Sequence, residues 1–206
     1  MSLSRSARLL ILAFGLAFAG SAHAEDPALS REMIVGDPAA PIGGNPKGDV
    51  TIVAYLDYNC GFCKRSAPAL DKLVKTDGKI RLVYKEWPIL AESSVAGAKI
   101  ALAAAYQGKY ETAHRALMAL KGAKIPQATM LDAAKRAGID MTRLQVDATT
   151  HDADIVAALK RNDAQAKGMQ FRGTPVYLIG PLKIEAALDY ETFRDAVAQA
   201  RARAKS

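Results

Sequence analysis

Cysteine is almost absent: Cys60 and Cys63 are the only two in 206 residues. Two cysteines cannot build the multi-bridge framework of a small secreted scaffold. They also supply only half of a structural zinc site, which needs four ligands. Beyond residue 24 the good nitrogen donors are His114 and His151, which the pattern places on unrelated helices. Zinc is therefore disfavoured, and no metal site is expected. Aromatic residues are sparse at 6%, and no stretch repeats at the periods of solenoids or propellers. Glycine (15) and proline (9) are too few for a collagen-like or low-complexity chain. Past residue 24 no apolar run approaches the about 20 residues of a membrane span. The hydrophobic content, 50%, is enough for one well-packed domain or one domain carrying an inserted subdomain.

The first 24 residues read separately. Arg5 and Arg8 give a basic start, residues 9–20 form an apolar run, and Ala22-His23-Ala24 is a small-x-small cleavage signature. This is the layout of a secretory signal peptide, and the run is short for an uncleaved anchor. Residues 1–24 are expected to be removed, which leaves a soluble exported chain. That removal takes two arginines and no acids, so the formal charge falls from +7 to +5. The cations are scattered among acids, so no nucleic-acid partner is expected. The tail Arg201-Ala202-Arg203-Ala204-Lys205 reads as a cationic last turn suited to the helix macrodipole. Export places the two cysteines where disulfides persist.

Residues 25–48 contain four prolines and four glycines and read as an extended arm with turns at Asp37-Pro38 and Asn45-Pro46. Residues 49–92 follow as strand, helix, strand. Thr51-Ile52-Val53-Ala54-Tyr55-Leu56 is a buried-type strand. A helix presents Ala67, Leu70, Leu73 and Val74 on one face until Asp77-Gly78, and residues 80–87 form a second strand stopped by Pro88. This order favours a right-handed parallel unit. Residues 93–147 are helical: Ser93 or Ser94 is expected to cap a helix to about residue 107, with further helices over 109–120 and 127–137 and a short turn over 140–146. Residues 148–206 hold a helix ending near Lys167 and closed by Gly168, then a hairpin of 176–179 and 182–185 about Gly180-Pro181, then a closing helix from Tyr190.

The cysteines fall where a strand ends and a helix begins. Free N–H groups and the positive end of the macrodipole favour thiolate there. Cys60 sits at the mouth and Cys63 about one turn in, so the sulfurs can meet across a small ring. A low-pKa Cys60 attacks disulfides well and leaves them well. Haem attachment would need His after the second cysteine, where Lys64 stands. A purely structural bridge would close too small a loop to constrain much of the unfolded chain. His114 reads as solvated or locally bonded, His151 as capping chemistry, and Tyr84 and Trp87 as core. Lys64 and Arg65 add positive charge, or simply point to solvent. Phe62 should be exposed beside the cysteines, placed to touch unfolded chains.

The segments Asp57-Tyr58-Asn59-Cys60-Gly61-Phe62-Cys63-Lys64, Lys85-Glu86-Trp87-Pro88-Ile89-Leu90 and Gly173-Thr174-Pro175-Val176 resemble the thioredoxin superfamily. Within it they are most similar to the DsbA-like exported thiol–disulfide oxidoreductases, near the suppressor-of-copper-sensitivity branch. The resemblance implies an α/β thioredoxin fold, a central sheet flanked by helices, interrupted by the all-helical subdomain. It implies catalytic Cys60 and Cys63, with Gly61, Phe62, Thr174 and Pro175 lining the substrate site, and a cis bond at Thr174-Pro175. No cofactor is implied beyond a redox-active Cys60–Cys63 disulfide. The implied partners are unfolded or cysteine-containing exported proteins and a membrane redox partner, in the periplasm. Without the long amino-terminal stalk of some relatives, a monomer is expected. The reading favoured is a dithiol oxidase; the alternatives are a disulfide isomerase or reductase, or a copper-binding or chaperone module using the same cysteines. One departure stands out: many relatives carry a buried acid six residues before the first cysteine, where this sequence has Ala54. Asp57 and Glu86 are the candidates to replace it.

Overall fold

The computed structural model describes residues 27–205. The expected signal segment, 1–24, lies outside them. Five strands form one mixed sheet: β1 (Ile42–Gly44), β2 (Val50–Leu56), β3 (Ile80–Glu86), β4 (Val176–Ile179) and β5 (Leu182–Ile184), in the order β1-β3-β2-β4-β5. β2 and β3 run parallel, with Leu56 opposite Glu86, and are joined by α2 (Gly61–Asp77). β1 adds antiparallel to β3, β4 antiparallel to β2, and β5 antiparallel to β4. This is the expected thioredoxin arrangement.

The pleat explains the two cores. Side chains on a strand alternate between faces. On β2, Ile52, Ala54 and Leu56 join the larger core with Cys60, Cys63 and α2, whereas Val53 and Tyr55 join Trp87, Phe171 and Val176 on the other side. Tyr84 and Trp87 are core, as expected.

Between β3 and β4 the chain leaves the sheet as α3 (Glu92–Ala105), α4 (Tyr110–Met118), α5 (Gln127–Arg136), α6 (Met141–Thr150) and α7 (Asp152–Gly168). α6 runs past the expected limit at residue 147. α7 returns to the sheet: Asn162 Nδ2 donates to Glu86 O at 3.0 Å, and Trp87 Nε1 donates to Asp163. Gly168 does not close it; the helix runs through that residue, and Gln170 takes the positive φ of 58°. α8 (Tyr190–Arg203) closes the chain. Its Arg201 does more than face the macrodipole: both Asp49 and Asp77 accept hydrogen bonds from its guanidinium.

The extended arm is a correction. A short 3-10 turn at Pro27–Leu29, α1 (Arg31–Val35) and the edge strand β1 occupy it. They are held by a buried charge cluster. Asp37 accepts from Lys85 Nζ at 2.9 Å and from Arg161 Nε and Nη2, each at 2.9 Å. Lys85 Nζ and Gln165 Nε2 also donate to Met33 O.

Candidate active site

Cys60 is the N-cap of α2 and Cys63 lies one turn in. The cap position leaves the side chain beside unpaired N–H groups, and here sulfur does what Ser or Asp usually does. The Cys63 N–H donates to Cys60 Sγ at 3.2 Å, and the Cys60 thiol donates to Thr174 O at 3.2 Å. Both cysteines are free thiols and both are buried. The hydrogen bond from the Cys63 thiol, then the nearby Thr174 hydroxyl and the helix N–H groups, outweigh burial and lower Cys60 to about 6. Burial first, and the neighbouring Cys60 second, push Cys63 far up. The pair is thus split into a thiolate and a protonated partner.

The Thr174-Pro175 bond is cis, as expected. Thr174 Oγ1 is buried and makes no hydrogen bond with the described residues, yet it lies close enough to favour the ionised form of both thiols. Thr174 and Pro175 line a groove of about 770 Å³ together with Phe62, Arg172 and Leu188. Phe62 is 57% exposed, and the Arg65 guanidinium lies 4.2 Å over its ring. Gly61 opens α2 in open space: an added Cβ would meet nothing within 4 Å. The sequence-expected residues therefore converge at the carboxyl end of β2, where a strand-to-helix junction presents backbone N–H groups to a ligand.

Several contributors were not legible as such. The Asp57 carboxylate accepts from the N–H groups of Asn59, Ile89 and Leu90 and from Ser94 Oγ, at 2.7 to 3.0 Å. Asn59, next to the nucleophile, donates to Ser93 Oγ and Ser94 Oγ and accepts from the Ile125 N–H at 2.8 Å. Ser93 and Ser94 are thus not helix caps. Ala91 holds the N-cap position of α3 without a side-chain bond, and the two serines tie the helical insertion to the approach to Cys60. The signal was the Asp-x-Asn pair itself, since such side chains seek nearby backbone N–H groups.

Neither carboxylate proposed in place of an acid at Ala54 bonds a sulfur. Asp57 is occupied as described. Glu86 Oε1 accepts from Tyr58 at 2.5 Å and Tyr110 at 2.6 Å, and Oε2 has no partner among the described residues. Burial raises Glu86 to about 8, against the pull of those two phenols. His114 is not solvated: it is buried, its Nδ1 lies 2.9 Å from Tyr58 Oη, and burial with nearby Arg115 holds it down at about 3. His151 makes no capping bond; it stacks on Tyr106 with ring centroids 3.7 Å apart. Where an acid would stand, Ala54 pairs with Tyr177, whose hydroxyl bonds Ser66 Oγ. Lys64 is not free in solvent, since its Nζ donates to Gly122 O at 2.9 Å. Among the described residues no group of three or more His, Cys, Asp and Glu side chains is placed to hold a metal, and no helix is long and apolar enough to cross a membrane.

Comparison with known proteins agrees with this geometry. A family model described as Thioredoxin matches residues 32–199. A thioredoxin-like oxidoreductase from Silicibacter pomeroyi is 39% identical, with a TM-score of 0.78 over 84% of this chain and 98% of that one. The thiol–disulfide exchange protein alpha-DsbA2 from Wolbachia pipientis is 28% identical, with a TM-score of 0.77 over 84% of this chain and 93% of that one. The catalytic domain of Proteus mirabilis ScsC is 26% identical, with a TM-score of 0.74 over 85% of this chain and 97% of that one. Among curated proteins, the Na(+)/H(+) antiporter NhaA 1 of Mycobacterium sp. (strain KMS) is 27% identical over 152 residues, 72% of this chain. The chain spans only 23% of that relative's length.

Proposed function

We propose, from the premise that the chain belongs to the thioredoxin family, that it is an exported thiol–disulfide oxidoreductase that oxidises protein dithiols. The observation that carries this is the asymmetry of the two sulfurs: Cys60 lowered to about 6 at the N-cap, Cys63 buried and pushed up. A poised thiolate beside a buried partner suits a couple that forms and resolves mixed disulfides. The couple itself carries the electrons, so no further cofactor is needed.

In the oxidised protein a substrate thiolate attacks Cys60 Sγ. The Cys60–Cys63 bond breaks, and Cys63 leaves with the electron pair and takes a proton. A second substrate thiolate then attacks the substrate sulfur of the mixed disulfide. Cys60 leaves as a thiolate, and its low pKa makes it the better leaving group. Two electrons have passed from the substrate to the cysteine pair. The Thr174 carbonyl, which holds the Cys60 thiol at 3.2 Å, is released when Cys60 ionises or is bonded to sulfur, and can then accept from an extended substrate backbone. Export rests on the basic start, apolar run and Ala-His-Ala of residues 1–24. The proposed setting is the periplasm, with a membrane partner that restores the disulfide and a monomeric working form.

The test is oxidation of a reduced dithiol peptide by the oxidised protein. Cys60→Ser should abolish it, and Cys63→Ser, charged with a substrate, should accumulate a mixed disulfide at Cys60. Turnover that survives Cys60→Ser would dismiss the proposal.

A further inference from the structure

A second cavity, of about 750 Å³, lies between α2 and α4 with the turn that follows α4. It shares only Arg65 with the Thr174–Pro175 groove. Its apolar lining comes from Ala67 and Pro68 on α2 and from Met118 and Leu120. Its charged lining is lopsided: Lys64, Arg65, Arg115 and Lys121 stand against the single carboxylate of Asp71. Burial raises the Asp71 carboxyl above its ordinary value. Glu111 offsets Arg115 only loosely, at 3.9 Å with both side chains exposed. Gly61, the residue after Cys60, lies on the edge of the cavity, and the space where its side chain would project is empty.

An apolar hollow ringed by cations and opening beside a reactive sulfur has one well-matched occupant. We infer that this cavity docks a segment of a protein partner in which acidic residues flank apolar ones, held so that the partner's sulfur reaches Cys60. The inference rests on the thiol-exchange reading for its chemistry, though not for the docking itself. The apolar lining would take side chains such as leucine, and the cations would steer and orient the acids around them. A second copy of this chain is a poor match, because two cation-rich faces repel. A flat anionic lipid surface would meet the charges but would leave the hollow unfilled.

Two short synthetic peptides test this. Each carries leucines and one cysteine joined to glutathione; one has aspartates and glutamates around the leucines, the other lysines. The reduced protein should cleave the acidic peptide about tenfold faster than the basic one at low salt, an advantage that shrinks as salt rises. Arg115→Glu with Lys121→Glu should erase the advantage and leave the rate with an uncharged small disulfide, hydroxyethyl disulfide, unchanged. Lys121→Glu alone should lower it partway, which keeps the test open if the double variant folds poorly. A cysteine-to-serine form of the acidic peptide should shift the amide NMR signals of residues 118–123. Equal rates with no such shifts would overturn the inference. So would an advantage that survives the double variant, which would place the selection elsewhere, for example at Arg172. Binding to phosphatidylglycerol vesicles that is lost in the double variant, with no peptide preference, would overturn it in favour of a membrane. Shifts at 118–123 without reduction of glutathione disulfide would uphold the docking and dismiss the thiol-exchange reading instead.

Discussion

Replacing Thr174 by valine removes one hydroxyl and little else. That hydroxyl is buried without a partner beside the Cys60 thiol and lies where it can donate to the thiolate once Cys60 ionises. A hydrogen bond to a charged group is worth about 1.5 to 3 kcal/mol, and one pKa unit is about 1.4 kcal/mol, so its loss raises the thiol by about one to two units. Cys60 should move from about 6 to between about 7 and 8. At pH 7 the thiolate fraction then falls from about nine-tenths to between about half and a tenth.

The same shift moves the redox couple. A thiol lowered from its ordinary value stabilises the reduced protein progressively as pH rises above its folded pKa, and that stabilisation is lost as pH falls through about 6. At pH 7 it contributes about 1.4 kcal/mol, equivalent to about 30 mV in a two-electron couple. Thr174→Val should remove most of this and make the couple about 20 to 30 mV more reducing. Absorbance of the thiolate at ultraviolet wavelengths against pH gives the first value, and glutathione equilibrium gives the second. By the same linkage the reduced protein should lose about 1 kcal/mol of stability at pH 7, while the oxidised protein, which carries no thiolate, should keep its own. A pKa that stays near 6 would refute the reasoning and assign the thiolate to Cys63 and the helix N–H groups alone.

Two further outcomes are expected. Asp37→Ala leaves Lys85 and Arg161 without their shared carboxylate and should cost about 3 to 5 kcal/mol in urea unfolding, while Cys60 keeps its alkylation rate; a loss under about 1 kcal/mol would mean the N-terminal segment is held by its apolar contacts. Glu86 is raised to about 8 by burial, so the folded state keeps a proton that the unfolded chain releases above about 4.5, and stability should fall as pH rises between those values. Glu86→Gln should flatten that dependence by on the order of 4 kcal/mol across the interval; an unchanged pH profile would show the carboxyl ionised within the fold.

The parts of the fold that were legible in the sequence are those whose cause is local. β2 and β3 are rich in branched and aromatic residues, and α2 starts and stops on residues that dictate it, ending where Gly78 adopts φ 69°. The cysteine pair and the Thr174-Pro175 bond were legible through the strand–helix junction and the resemblance. What escaped depends on distant partners. Residues 27–44 have the composition of a loop, yet Asp37 is captured by Lys85 and Arg161, 48 and 124 positions away. Ser93 and Ser94 have the chemistry of helix caps, but Asp57 and Asn59 compete for them across the site. His114 shares its helix with charged neighbours, yet Tyr58 and Tyr110 enclose it. Gly168 looked like a stop signal because it is a glycine; instead it packs against Leu29, whose side chain occupies the space a Cβ would need.

The central claim is that Cys60 and Cys63 form a disulfide-donating couple, and its equilibrium reduction potential in glutathione buffers, read by mass after thiol trapping, tests it most directly. The account predicts an oxidising value, less negative than about −180 mV, as the oxidase reading requires. A value near about −270 mV would place the couple among reductants and contradict the oxidase reading.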